Sequence, residues 1–287
     1  MHPFINSRVP ISYSISELKT LLSRYDSYWV CLYLSSRKNW QRATSPIYMN
    51  QVIDNVLYTP IDVMDDESLT ELYDIAKNNE KIVAMNIGVP HKSNDMFRER
   101  LGCDGNFDVI IKENHKLYAF DVNGPSFVEW YLDEIGDLTN KNVIIFGVGG
   151  AGSAIAKSLP PVKKLWLVDT EDKSKLCEEL NAEYASNLVA VTSTDNLVLI
   201  NATGQDEGLD ILKDQKGIFV ELRMGTILTS VKLAEECGWH TFKGDGMSLR
   251  NDYIIIKKIC TVTNQTPITF EKYKILFENA VRQTESC

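Results

Sequence analysis

The chain is poor in the residues that build metal sites and disulfide frameworks: it has four histidines, and its six cysteines (Cys31, Cys103, Cys177, Cys237, Cys260 and Cys287) include no C-x-x-C pair. No structural or catalytic metal is therefore expected, and the scattered thiols read as reduced cysteines of a cytoplasmic protein. Positive charge is also short, with 30 Lys and Arg against 39 Asp and Glu for a net charge of −9. An acidic balance of this size argues against nucleic acid or an anionic membrane as the main partner. No apolar run approaches the length of a bilayer span, and the first residues lack a basic segment followed by an apolar core. With 16 Gly, 9 Pro and no low-complexity stretch, 287 residues at 44% hydrophobic content fit one or two folded domains with a sizeable core.

Within those bounds the hydrophobic period switches regularly between 3.6 and 2. It predicts a short amphipathic helix over 15–24, a strand over 28–34, a polar loop over 35–45 and a helix near 48–55. A strand over 57–63, a helix over 67–79 and a strand over 82–87 follow. Further strands are expected at 197–200 and 217–220, and a final helix over 270–284. Alternation of this kind specifies an α/β protein with largely parallel sheets. Two domains are expected, with a hinge near 124–137.

The most specific signal is Val143-Ile144-Ile145-Phe146-Gly147-Val148-Gly149-Gly150-Ala151-Gly152. An apolar strand ends in glycines at G-x-G-x-x-G spacing and opens into an Ala-rich helix. Gly147 permits the tight turn, Gly149 lets backbone approach a pyrophosphate, and Gly152 lets the helix pack on the strand. Gly150 and Ala151 begin the helix whose first N–H groups would face the phosphates. A second apolar run, Leu165-Trp166-Leu167-Val168, ends at Asp169, about twenty residues beyond the glycines, where a carboxylate meets the ribose hydroxyls. A carboxylate there repels a 2′-phosphate, and Thr170-Glu171-Asp172 adds negative charge, so NAD is favoured over NADP as cofactor.

Several further stretches carry a resemblance. Asn86-Ile87-Gly88-Val89-Pro90-His91-Lys92 resembles the N-V-T-x-P-x-K motif of the shikimate dehydrogenase family, which ends in the catalytic lysine. Ser45-Pro46 followed by Tyr48-Met49-Asn50 is similar to its S-P-x-x-H-N segment. Residues 116–124 stand where the family has K-L-x-G-x-N-T-D-G. Gly147 to Gly152 matches its G-x-G-G-A-G turn, Asn201-Ala202-Thr203 its N-A-T, and Gly244 with Met247 its G-x-x-M near the nicotinamide. These motifs cover about residues 28–287 in the family's order. The resemblance implies a substrate-binding and catalytic domain over 1–124, on which helices of 253–287 pack back, and a Rossmann-type NAD(P)-binding domain over 125–252.

The departures from the family fall at positions it uses to hold substrate. Lys92 is kept, but the Asp of N-T-D is replaced by Asn123, which cannot carry charge or move a proton at neutral pH. Asp121 stands two residues earlier, and two residues of extended chain share a face, so a carboxylate is expected to have moved within the site. Asp108 replaces another Asn that contacts substrate in the family. Added carboxylates suit a hydroxyl-rich or amine-bearing ligand better than a second acid. The S-x-S-P cradle has become Ala43-Thr44-Ser45-Pro46, with Arg42 beside it able to hold a carboxylate by a bidentate pair. The late Gln appears as Asn251, and D-x-x-Y-x-P is shortened to Glu221-Leu222-Arg223-Met224-Gly225-Thr226.

The expectation is thus an NAD(P)-dependent oxidoreductase acting on a small polyhydroxylated or amino-substituted substrate. Its catalytic set is Lys92, Asp121 and Asn123, and its substrate-binding set is Arg42, Ser45, Asn86, Asp108 and Asn251. A monomer or homodimer is expected. The alternative is a silent or repurposed member that binds nucleotide or metabolite, or performs different chemistry in a specialised pathway.

Overall fold

A computed structural model describes residues 13–24, 27–33, 48–63, 65–87, 91, 94–103, 107–191, 195–224 and 228–285. The chain divides into two compact units, one of Met1–Val122 with Asp252–Cys287 and one of Asn123–Asn251.

The first unit is built on a five-stranded sheet. Its strands are β1 (Ser27–Tyr33), β2 (Val56–Asp62), β3 (Ile82–Asn86), β4 (Val109–Glu113) and β5 (Lys116–Phe120), in the order β2-β1-β3-β4-β5. β1 runs parallel to both β2 and β3, while β4 is antiparallel to its two neighbours, so one strand opposes the other four. Helices α1 (Ile15–Leu21), α2 (Asp66–Asn78) and α3 (Asp95–Leu101) start where polar side chains cap them. Ser14 and Glu17 form a reciprocal capping box at α1, and Asp65 accepts from the Ser68 N–H at 2.7 Å at α2. Their buried faces, including Leu18, Leu69, Leu72 and Phe97, close one core with Tyr28, Leu57 and Ile110.

The second unit is a six-stranded parallel sheet. It contains β6 (Asn142–Phe146), β7 (Lys164–Val168), β8 (Glu183–Ala185), β9 (Leu197–Asn201), β10 (Gly217–Glu221) and β11 (His240–Lys243) in the order β11-β10-β9-β6-β7-β8. That is the doubly wound Rossmann order, which reverses between β6 and β9 and leaves a crevice at the carboxyl ends of those strands. β6 and β9 are buried along nearly their whole length, as strands covered on both faces must be. Helices α4 (Asn123–Glu134), α5 (Gly150–Ser158), α6 (Ser174–Leu180), α7 (Ile211–Asp214) and α8 (Thr229–Glu236) belong to this unit. Helix α9 (Asp245–Val262) begins in it, and α9 from Asp252 onward and α10 (Phe270–Glu285) belong to the first unit.

The mixed α/β class with a Rossmann-type unit agrees with the sequence expectation, and three local readings are corrected. The segment read as a hinge over 124–137 is mostly helix α4, because Phe127, Trp130 and Tyr131 recur at helical spacing and are buried. Residues 48–55 carry helical backbone only at Tyr48 and Met49 among the described residues, and then turn, with Asn55 left-handed at φ 58°. The extended backbone assumed between Asp121 and Asn123 does not run that far: β5 ends at Phe120 and Asn123 is already the first residue of α4.

Candidate dinucleotide and substrate site

Two glycines of the turn have a packing reason. Gly147 has φ 90°, and a Cβ there would meet the Thr203 nitrogen at 2.7 Å, so the turn after β6 is pressed against the residues following β9. A Cβ at Gly152 would lie 2.0 Å from the Gly147 carbonyl oxygen, which allows only glycine where α5 packs on the turn. Gly149 is exposed and a Cβ there would meet nothing within 4 Å, so the fold itself does not need a glycine there. Gly149 is also the N-cap of α5 and offers no side chain to the first amides, beginning with those of Gly150 and Ala151. An uncapped helix N-terminus beside an open glycine suits the backbone approach of a pyrophosphate.

Asp169 follows β7 and is joined to this turn. Its Oδ2 accepts from the Val148 N–H at 2.6 Å and its Oδ1 from the Glu171 N–H at 2.9 Å, while Tyr184 Oη donates to its carbonyl at 3.1 Å. The Lys173 ammonium lies nearby, paired with Glu171 at 2.8 Å. That hydrogen bond, with the Asp169 charge adding to it, raises the lysine pKa.

On the other side of the turn, Asn201 ends β9 fully buried, with all its side-chain valences used. Its Nδ2 donates to the Gln205 carbonyl at 3.0 Å and to Glu221 Oε2 at 2.7 Å. Its Oδ1 accepts from Thr203 N–H at 3.2 Å and Oγ1 at 2.7 Å. Ala202 N–H donates to the Phe146 carbonyl at 2.7 Å, tying this turn to the end of β6. Gly244 is a close-approach glycine, since a Cβ there would lie 2.1 Å from the Leu222 carbonyl oxygen. Met247 packs in the same core cluster as Val143 and Ile145.

The substrate candidates are placed less uniformly. Asn86 ends β3 and its Oδ1 accepts from Trp29 Nε1 at 2.7 Å. Asp108 is buried just before β4, and its Oδ2 accepts from the Val122 N–H at 3.0 Å. Asp121 and Val122 form the short joint before α4. Asn123 Oδ1 accepts from Asn251 Nδ2 at 3.3 Å, and Ser126 Oγ donates to Asn251 Oδ1, so these three residues are brought together. Lys92, Arg42 and Ser45 lie outside the described residues. His91, next to Lys92, is buried, which holds its imidazole pKa below the usual value.

Two polar clusters were missed from sequence. Glu221 is fully buried at the end of β10 and is clamped by Arg223, Ser230 and Asn201. Asp252, also buried, accepts from Tyr48 Oη at 3.0 Å and Tyr273 Oη at 3.1 Å, and burial pushes its pKa up to about 6. A carboxylate closing an apolar strand was the available signal for Glu221. Asp252 gave none, because its tyrosine partners are distant in sequence. Among the described residues no group of three or more His, Cys, Asp and Glu is placed to hold a metal ion, and no helix is long and apolar enough to cross a membrane.

The strand order, the glycine turn and Asp169 together define a two-unit α/β protein with a Rossmann-type unit. No family model matches the chain. The chain is 25% identical over 126 residues to a shikimate dehydrogenase (NADP(+)) of Caldicellulosiruptor bescii, a stretch that is 41% of this chain and 44% of that protein. It spans about half the length of the curated relatives it matches. Among solved structures, the shikimate 5-dehydrogenase of Thermus thermophilus in complex with shikimate superposes with a TM-score of 0.69 at 17% identity, covering 90% of this chain and 99% of that one. A 5-ketofructose reductase of a Gluconobacter strain superposes with a TM-score of 0.65 at 18% identity, covering 88% and 98%. The chain is thus similar in sequence to shikimate dehydrogenases over part of its length, and it shares the fold of their solved structures.

Proposed function

We propose that the protein is a nicotinamide-dinucleotide-dependent oxidoreductase of shikimate dehydrogenase type, acting on a small polyhydroxylated or amino-substituted substrate through an altered substrate site. The observation that carries the reading is the glycine turn, in which Gly147 and Gly152 are required by packing but Gly149 is left open beside the uncapped start of α5. These residues fit a dinucleotide, which when bound supplies the hydride acceptor or donor. Asp169 takes the adenosine ribose in this reading and favours NAD. The relatives are named for NADP(+), which leans the other way, and the Lys173 ammonium offers some compensation for a 2′-phosphate.

On the substrate side, Lys92 and Asp121 share the proton of the reacting hydroxyl, and Asn123, tied to Asn251, orients it. Asn86 retains its amide donors while Trp29 occupies its oxygen. Asp108 is proposed as a further contact, with one oxygen committed to Val122, and Arg42 and Ser45 complete the set.

Turnover of polyols, amino-sugar acids and shikimate with NAD(H) tests the proposal. A hydroxylated substrate should be turned over, and Lys92→Ala should lower that turnover by about 100-fold or more. No NAD(H) binding together with no effect of Lys92→Ala would overturn the reading. A silent or repurposed protein is the second reading, favoured by the mutual bonding of Asn123, Asn251 and Ser126. Asn123→Asp, whose carboxylate still accepts from Asn251, should produce measurable shikimate oxidation if the missing carboxylate is the main change, and no gain would mean that the side holding the substrate carboxylate has been rebuilt as well.

A further inference from the structure

Five donors converge on the buried Glu221 carboxylate. Oε2 accepts from Asn201 Nδ2 at 2.7 Å, Ser230 Oγ at 2.6 Å and an Arg223 terminal nitrogen at 2.9 Å, and Oε1 accepts from the Arg223 backbone N–H at 3.1 Å and Nε at 3.0 Å. Arg223 is held in turn by Asp206, which also accepts from the Ser230 N–H at 3.0 Å. This is more partners than are needed to satisfy one buried carboxylate, and they lead in one direction. Glu221 fixes the amide of Asn201, whose oxygen fixes Thr203, whose backbone stands against Gly147.

We propose that Glu221, clamped by Arg223, is a positioning residue: through Asn201 it sets the residue 201–203 wall of the crevice beside the glycine turn. The proposal rests on the dinucleotide reading above. Strand order decides which half of the ligand feels it. β7, ending at Asp169, and β9, ending at Asn201, flank β6 on opposite sides. A dinucleotide laid across these strand ends with its adenosine ribose on Asp169 carries its pyrophosphate over α5 and its nicotinamide half over the β9 side. The clamp therefore acts on the nicotinamide half and leaves the adenosine half alone.

The test is equilibrium binding of NADH and of AMP to the full chain and to Glu221→Gln, Arg223→Met and the double variant. Glu221→Gln keeps the volume but loses one acceptor and the charge. NADH binding is expected to weaken roughly tenfold in each single variant, with AMP binding within about twofold of wild type, since AMP occupies only the Asp169 side. Because Arg223 acts through Glu221, the double variant is expected to be no weaker than the weaker single variant. A generally loosened fold would weaken AMP as well, so equal losses for both ligands overturn the proposal, as do unchanged NADH binding and additive losses in the double variant. If the wild-type chain binds neither ligand, the dinucleotide reading itself fails; if it binds both and the variants behave alike, only the clamp fails.

Discussion

The two units carry their likeness to the shikimate dehydrogenases in different kinds of atoms. In the unit of residues 123–251 the likeness sits in backbone: Gly147 and Gly152 leave no room for a Cβ, and the strand order places the turn at the reversal point of the sheet. In the unit of residues 1–122 and 252–287 the fold is shared as well, but the polar side chains that the sequence resemblance singles out differ. Asp108 is engaged by Val122, and Asn86 by Trp29. Backbone geometry admits few solutions, so the turn is retained as a whole, whereas a polar side chain is re-paired by a single substitution. On the proposed reading, the glycine turn is the cofactor side and the polar side chains of the first unit are where the specificity of this chain is to be sought.

The largest effect expected is on the substrate side. Lys92→Ala should lower turnover by about 10²- to 10⁴-fold, the range for losing a positioned acid or base, with NADH binding within a few fold of wild type. Loss of NADH binding in that variant would break the separation of roles between the units.

Next comes a contrast within the turn. Gly152→Ala drives a methyl to 2.0 Å from the Gly147 carbonyl oxygen and should destabilise the protein by about 1–3 kcal/mol or more, as overpacking against backbone does. Gly149→Ala meets nothing within 4 Å, so thermal melting should be unchanged while NADH binding weakens about tenfold. Equal melting of the two variants would contradict the packing account, and unaltered NADH binding in Gly149→Ala would remove the reason offered for that glycine.

The first unit has a pH dependence of its own. Burial raises the Asp252 pKa to about 6 in the folded chain, against about 3.9 in unfolded chains. The protonated form is therefore favoured by folding. Its contribution is fully present below about pH 4 and is lost as pH rises through about 6, with a ceiling of about 3 kcal/mol at 1.36 kcal/mol per unit. Asp252→Asn, which stays neutral, should flatten denaturation midpoints between pH 4 and 8 relative to wild type. Parallel pH profiles would mean that Asp252 does not titrate in this window.

The smallest effect concerns the ribose. Asp169→Asn should reduce the ratio of NADH to NADPH affinity by roughly tenfold, and an unchanged ratio would remove Asp169 from selectivity.

How much was legible follows the same division. The strand, turn and helix around the glycines, the position of Asp169 after its strand and most strands were readable because apolar runs and glycine spacing are local signals. The helix over most of 124–137 was not read, although Phe127, Trp130 and Tyr131 recur there at helical spacing. Apart from Arg223, two positions from Glu221, the partners in the Glu221 and Asp252 clusters lie from 9 to 204 positions away, and no periodicity reports such pairs. The bonding of Asn123 to Asn251, 128 positions away, was hidden for the same reason.

The central claim is that the glycine turn binds a nicotinamide dinucleotide, and it is tested most directly by titrating the full chain with NADH and NADPH. Saturable binding of NADH, tighter than that of NADPH and weakened in Gly149→Ala, is the predicted result. Failure of the folded chain to bind either nucleotide would contradict the account.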